Sequence, residues 1–239
     1  MAYLVARAVF RAVGRLLFDF RVSGLEHLPA DSDGKPAGPW ICCGIPHRTW
    51  IEPLAVVAFM PPRPRLMMLA DGRVMFKSAW RRLLIRRVGG VIPVWPGSGA
   101  AGFIGHTRAA RTVIGGGAVF ALFPETGRPS RAPAFRRLSP GVAYFAIRTG
   151  APVVPVVFGG THDLYLRRRV EMRVLPPLQP PRPPPPAGSI AERTAAEALM
   201  AELRQLTEPA AAAAHAAAER AAGRRRLWRW LHGPYPRAD

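Results

Sequence analysis

The stretch "PVVPVVFGG", residues 152–160, is an apolar run rich in valine, opened by a proline and closed by two glycines. A run this short and this apolar, bounded by turn residues, reads as a strand buried on both faces. Similar runs occur at "VIPVW" (91–95) and "AVFALFP" (118–124), and "WICCGI" (40–45) and "RPRLMMLA" (63–70) add two more. Helical patterns fall between them. "EPLAVVAFM" starts a helix with Pro53 suited to its first turn. "FKSAWRRLLIRRVGG" is amphipathic and stops at Gly89-Gly90. Further helices are expected at 102–114 and 139–149. Strands alternating with helices predict an α/β fold, a single domain with a mixed, mostly parallel central sheet flanked by helices.

The flanks differ from this centre. Residues 2–20, "AYLVARAVFRAVGRLLFDF", form a helical pattern in which Arg7, Arg11 and Arg15 recur every fourth position and therefore share one face. Leu4, Val5, Val9, Phe10, Val13, Leu16 and Leu17 supply apolar surface. Two readings stay open: a terminal helix packed on the domain, or an amphipathic helix lying in a lipid headgroup layer. Residues 21–175 carry the central domain. Residues 176–188 are a proline-rich spacer, and 189–239 a basic, helical tail. In that tail Ser189 and Glu192 have capping-box spacing. The alanine-rich stretch from 210 is expected as a second helix, and "RRRLWRWL" (224–231) closes the basic end.

Composition narrows the partners. The formal charge is +19, with 32 Arg and 2 Lys among 239 residues. A surface this basic attracts polyanions: anionic lipid, nucleic acid or a phosphorylated cosubstrate. Helix-turn-helix, RRM, KH and zinc signatures are all absent from the sequence, so nucleic acid is the weaker expectation. The adjacent Cys42 and Cys43 fit neither a disulfide framework nor metal spacing, which favours a reducing compartment. No metal is expected. No secretory signal is expected, because Arg7, Arg11 and Arg15 interrupt the apolar residues near the start. No stretch reads as a transmembrane helix, because the longest uncharged run, Val88 to Thr107, is broken by Pro93, Pro96 and several glycines.

Chemistry concentrates in "GIPHRTWIEP", residues 44–53. A carboxylate beside an imidazole fixes its tautomer and stabilises the imidazolium, which prepares a general base. On an ideal helix, side chains five apart point about 140° away from each other. His47 and Glu52 can therefore meet only if His47 precedes the helix and Glu52 lies in its first turn, a break that Pro46 and Pro53 favour. The alternative is a structural histidine. "FPETGRPSR" (123–131) leaves a buried strand carrying Glu125, Thr126, Gly127 and Arg128. Strand ends of open α/β sheets bind ligands, and Arg128 suits phosphate. The alternative there is a surface turn with a structural Glu–Arg pair.

These segments, in this order, resemble the glycerolipid acyltransferase family, whose type members are the 1-acylglycerol-3-phosphate acyltransferases. "HRTWIEP" resembles the first block, usually His-x4-Asp, and "FKSAWRRLLIRRVGGVIPV" the second. "FPETGR" resembles the third, usually F-P-E-G-T-R, and "APVVPVVFGGTH" the fourth. Coverage runs from about residue 20 to 175. The resemblance implies an acyl thioester donor, acyl-CoA or acyl carrier protein, with no other cofactor. His47 would be the general base with Glu52 behind it, and Glu125, Thr126, Gly127 and Arg128 would position a glycerol-phosphate-type or lysophospholipid acceptor. Several positions depart from the pattern. Glu52 stands for Asp, Pro46 for Asn, and "ETGR" inverts the Gly-Thr order. Trp95 and Pro96 stand where the second block ends in a phosphate-binding arginine, which leaves two alternatives: Arg86, Arg87, Arg108 or Arg131 substitutes for it, or the acceptor lacks a phosphomonoester.

Acceptors of this class live in bilayers. Residues 63–87 hold seven Arg and Lys77 against Asp71 alone, and the end segment interleaves arginines with Trp228 and Trp230. Peripheral attachment at the cytoplasmic face is therefore expected, through residues 2–20 and this basic surface. Other readings are a catalytically weak lipid-binding relative, a basic nucleic-acid-binding protein, and a cysteine hydrolase using Cys43 with His47 or His162.

Overall fold

The computed structural model describes residues 1–95, 99–125 and 137–221. Its frame is one seven-stranded sheet in the order β1-β7-β6-β2-β5-β3-β4. The strands are β1 (Phe18–Ser23), β2 (Trp40–Ile45), β3 (Leu66–Asp71), β4 (Val91–Val94), β5 (Val119–Leu122), β6 (Val153–Gly159) and β7 (Arg168–Val174). All neighbours run parallel except β6 and β7. The expected mixed, mostly parallel sheet is thus present. The apolar runs at 91–95, 118–124 and 152–160 supply β4, β5 and β6.

β2 lies inside the sheet, hydrogen-bonded to β5 on one edge and β6 on the other, and every one of its residues is buried. Successive side chains of a strand point to opposite faces. Ile41, Cys43 and Ile45 join Phe120 and Leu122 of β5 in a core covered by α5 (Gly99–Gly115), α6 (Gly141–Thr149) and α7 (Ile190–Arg220). Trp40 and Cys42 join Val119, Ala121, Val154, Val156 and Phe158 in a second core. That core is covered by α2 (Ile51–Phe59), with Phe10 of α1 (Ala2–Leu17) packed against it. Two short helices, α3 (Gly72–Met75) and α4 (Ala79–Val88), join β3 to β4.

α1 ends three residues before the expected limit, because Phe18, Asp19 and Phe20 pair with β7 as strand β1. Its arginine face turns toward the protein. Arg7 is buried and donates to the carbonyls of Val57 (2.8 Å), Ala58 (3.3 Å) and Met60, the orphan acceptors at the end of α2. A cation there also meets the negative end of the helix dipole. The Arg11 and Arg15 guanidinium groups lie 5.7 Å from the Phe59 ring centroid. Leu4, Val5, Val9, Val13 and Leu16 are left facing outward.

The last of the described residues are bound into the same body. α7 is one continuous helix across Pro209, not a helix followed by a second from 210. Its Ala196, Leu199, Met200 and Leu203 enter the α5–α6 core. Farther along, the α7 backbone crosses Gly159 so closely that a Cβ there would lie 2.3 Å from Ala214. β7 is an element that the sequence reading did not assign. Its signal was present, since Val170, Met172 and Val174 alternate and are buried, but charged residues, Arg169, Glu171 and Arg173, occupy the intervening positions.

Ser189 caps α7 by accepting from the Glu192 N–H at 3.0 Å. Glu192 reaches back to the Gly188 N–H (2.6 Å) rather than to the N–H of Ser189. It also takes a two-pronged bond from Arg148 of α6, Nε to Oε1 at 2.6 Å and Nη2 to Oε2 at 3.0 Å. These bonds, Arg148 first, hold the Glu192 carboxyl below the usual glutamate range against the opposing effect of burial. A carboxylate with a lowered folded pKa contributes stability above its unfolded value and loses it as pH falls through the folded one. Glu192→Ala should cost about 3 kcal/mol at neutral pH, because it strands Arg148. In urea titrations the gap to the parent protein should narrow as pH drops below about 4.3. A gap of the same size at acid and neutral pH would rule out the pair as its source.

Candidate active site

β2 ends at Ile45, and the chain turns through Pro46 to Thr49 before α2 begins at Ile51. This places His47 ahead of the helix and Glu52 within its first turn, the only arrangement in which the pair can meet. Glu52 is fully buried. Its Oε1 accepts from the Arg48 N–H (3.1 Å), and its Oε2 from the Thr49 N–H (2.8 Å) and the Thr49 hydroxyl (3.3 Å). The Thr49 hydroxyl oxygen in turn accepts from the Ile51 N–H at 3.3 Å. Buried carboxylates require such donors. The donors also fix where the carboxylate points, and Oε2 lies 3.5 Å from His47 Nδ1. This separation is longer than a well-formed hydrogen bond and within the looser range of a catalytic pair without substrate.

The third sequence segment meets the first here. Glu125, just past the end of β5, accepts from the His47 N–H through Oε2 at 2.9 Å. Its Oε1 is buried with no hydrogen-bond partner among the described residues. β2 and β5 are parallel neighbours, so the segments leaving them share one edge of the sheet. Phe123 packs its ring against His47, centroid to centroid 4.7 Å, tilted by 35°. It fits there because Gly44 has no side chain; a Cβ at Gly44 would lie 2.3 Å from the Phe123 ring. Gly44 and Phe123 are contributions to this site that the sequence reading missed. No spacing rule connects them, since the contact exists only once β2 and β5 are paired.

The acyltransferase family profile matches residues 19–159, which is more than half of the chain and includes His47, Glu52 and Glu125. The chain belongs to the acyltransferase family. Its fold is similar to the crystal structure of the 1-acyl-sn-glycerophosphate (LPA) acyltransferase PlsC from Thermotoga maritima. The TM-score is 0.57 at 19% identity, covering 85% of this chain and 79% of that one.

The other candidate residues of this acyltransferase chain separate into two groups. Thr126, Gly127 and Arg128 lie outside the described residues, as do Pro96 and Arg131. Trp95 stands beyond β4, half exposed, over Gly72, where a Cβ would lie 2.9 Å from the indole. Arg86, Arg87 and Arg108 are exposed on α4 and α5.

Cys42 and Cys43 point into opposite cores. Burial pushes the Cys42 thiol up to about 12 and Cys43 well above its ordinary value. A thiol in that state is a small hydrophobe, not a nucleophile. Iodoacetamide at pH 8 should leave both unmodified in the native protein and label both once it is unfolded. Rapid labelling of Cys43 in the folded state would reopen the cysteine-hydrolase reading.

Proposed function

We propose that this protein transfers a fatty acyl group from an acyl thioester, acyl-CoA or acyl carrier protein, to a hydroxyl of a glycerol-phosphate-type or lysophospholipid acceptor. The observation that carries the reading is the His47 imidazole held beside the buried Glu52 carboxylate, within the segment that matches the acyltransferase family.

His47 Nδ1 faces Glu52, so Nε2 is the nitrogen that takes the proton from the acceptor hydroxyl. The alkoxide oxygen forming in that step attacks the thioester carbonyl. The C–S bond then breaks, and the imidazolium returns its proton to the departing thiolate. A thiol of pKa about 8.5 leaves readily, so no acyl-enzyme is required. Glu52 stabilises the imidazolium that forms between the two proton transfers. Its extra methylene relative to Asp is accommodated by the Arg48 and Thr49 N–H groups that grip both of its oxygens. Glu125 spends one oxygen on the His47 N–H, which leaves Oε1 for an acceptor hydroxyl. Arg128, Gly127 and Thr126 are proposed to hold the acceptor's polar end.

His47→Ala should lower thiol release from acyl-CoA about 10³-fold with a lysophospholipid and glycerol-phosphate panel as acceptors. Glu52→Gln should lower kcat by about 10²-fold with KM little changed. Equal rates for the two variants and the parent would refute the assignment and leave a lipid-binding relative without turnover.

The same proposal includes attachment to a membrane surface, at the anionic cytoplasmic leaflet. No helix among the described residues is long and apolar enough to cross a bilayer. α1 is suited to lie on one: its Leu4, Val5, Val9, Val13 and Leu16 are exposed, with Arg11 and Arg15 also exposed on the same helix, while Arg7 is buried against α2. α4, which packs against α1, adds exposed Arg82, Arg86 and Arg87. Each basic residue near anionic lipid contributes about 1 kcal/mol. An apolar cleft between α1 and α2 is lined in part by Trp50 and Ile51, in the segment that joins His47 to Glu52. In flotation with vesicles containing anionic lipid, the parent protein should rise with the vesicles. Val9→Glu with Leu16→Glu should remain in the soluble fraction. A parent protein that fails to float would end the proposal.

A further inference from the structure

A second cluster of titratable side chains lies away from His47, where α7 ends against the loop leaving β6. His215 and Glu219 are four residues apart on α7 and so share one face of that helix. His162 faces them from the β6–β7 connection. One imidazole nitrogen from each histidine and one Glu219 oxygen lie within 4.8 Å of one another. His162 Nε2 is 3.8 Å from Glu219 Oε1, and the two imidazoles meet edge to face with centroids 4.8 Å apart.

We propose that His162, His215 and Glu219 form a binding site for a divalent transition-metal ion, best matched by Zn²⁺, which clasps the end of α7 to the β6–β7 connection. Two imidazoles and a carboxylate are borderline N and O donors, which suit Zn²⁺ better than Mg²⁺ or Ca²⁺. Bonds of about 2.0–2.2 Å in tetrahedral geometry separate neighbouring donors by about 3.4 Å. The 3.8 Å contact is close to that value, and small side-chain rotations bring the three donors together. A fourth position is left for water.

The surroundings resemble the outer shell of a metal site. Buried Arg168 is held by the Gly160 carbonyl (3.2 Å) and the Tyr165 hydroxyl (3.0 Å), and it donates to Glu219. Ligating carboxylates are commonly braced by such a bond. The guanidinium charge opposes a cation, but Glu219 and Asp163, the neighbour of His162, supply two negative charges against it. The bond to Arg168 accounts for the position of Glu219 but not for the convergence of two imidazoles on it. The cluster shares no residue with the His47 site, so the proposal stands or falls independently of acyl transfer. No cysteine pair or short histidine spacing marks it in the sequence, because His162 and α7 meet only through the fold.

The test is Zn²⁺ titration of the full-length protein after chelator treatment, followed by calorimetry. One ion per chain should bind in the low-micromolar range and raise Tm. His162→Ala and His215→Gln should each weaken binding roughly tenfold or more, while His106→Ala leaves it unchanged. Co²⁺ added to the unsubstituted protein should give the intense visible bands of four-coordinate geometry. Absence of stoichiometric binding, binding that survives both histidine substitutions, or a weak octahedral Co²⁺ spectrum would overturn the proposal.

Discussion

A carboxylate sealed from water must be met by donors, and at Glu52 two of those donors are backbone N–H groups of the turn that precedes its helix. This constraint organises the site. The Arg48 and Thr49 amides can reach Glu52 only if the chain folds tightly between β2 and α2, and that fold carries His47 to the end of the sheet. A surface carboxylate would leave the turn free to vary. Burial makes any other conformation costly, because each lost bond strands a polar group inside the protein. The Glu125 bond to the His47 N–H repeats the device from the β5 side. Two acidic side chains thus hold one short turn, one from the helix after it and one from the neighbouring strand.

The two terminal helices show how a basic protein packs its charge. Arg7 satisfies the last carbonyls of α2, and Arg148 and Arg168 each pair with a glutamate of α7. These arginines are structural, and they account for part of a composition that otherwise suggests polyanion binding alone. Burying Arg7 against α2 leaves Val5, Val9 and Leu16 of α1 exposed. The same packing therefore stabilises the end of α2 and leaves outward the aliphatic residues proposed to meet lipid. Of the two readings of residues 2–20 that the sequence left open, the packed helix is seen in the contacts of Arg7, and the lipid-facing one is proposed for those exposed residues.

The fold was legible from the sequence where burial is total. Runs such as 118–124 and 152–160 have one conformation available to them, because an apolar segment bounded by glycine and proline gains most as an interior strand. β7 was harder to see because its charged positions find partners: Arg168 bonds to Glu219 and Arg169 to Asp19, neither of them near in sequence. The proline-rich stretch looked like a break in the body of the protein, yet the helix beyond it completes the core of α5 and α6. Proline content sets the stiffness of a segment and carries no information on whether the next helix packs.

The sequence by itself determined the alternation of strands and helices, the condition under which His47 and Glu52 can meet across a proline-flanked turn, and the placement of the two cysteines in an apolar strand. Those features come from local periodicity and from the cost of burying polar groups, which depend on near neighbours. Only the tertiary structure decided which face of α1 carries its arginines and that Phe123 lies on His47 over Gly44. It also decided that Glu125 supports the His47 turn and that two histidines converge on Glu219. Each of these is a contact between segments far apart in the chain, and such contacts are set by strand order and helix rotation, which no local pattern encodes.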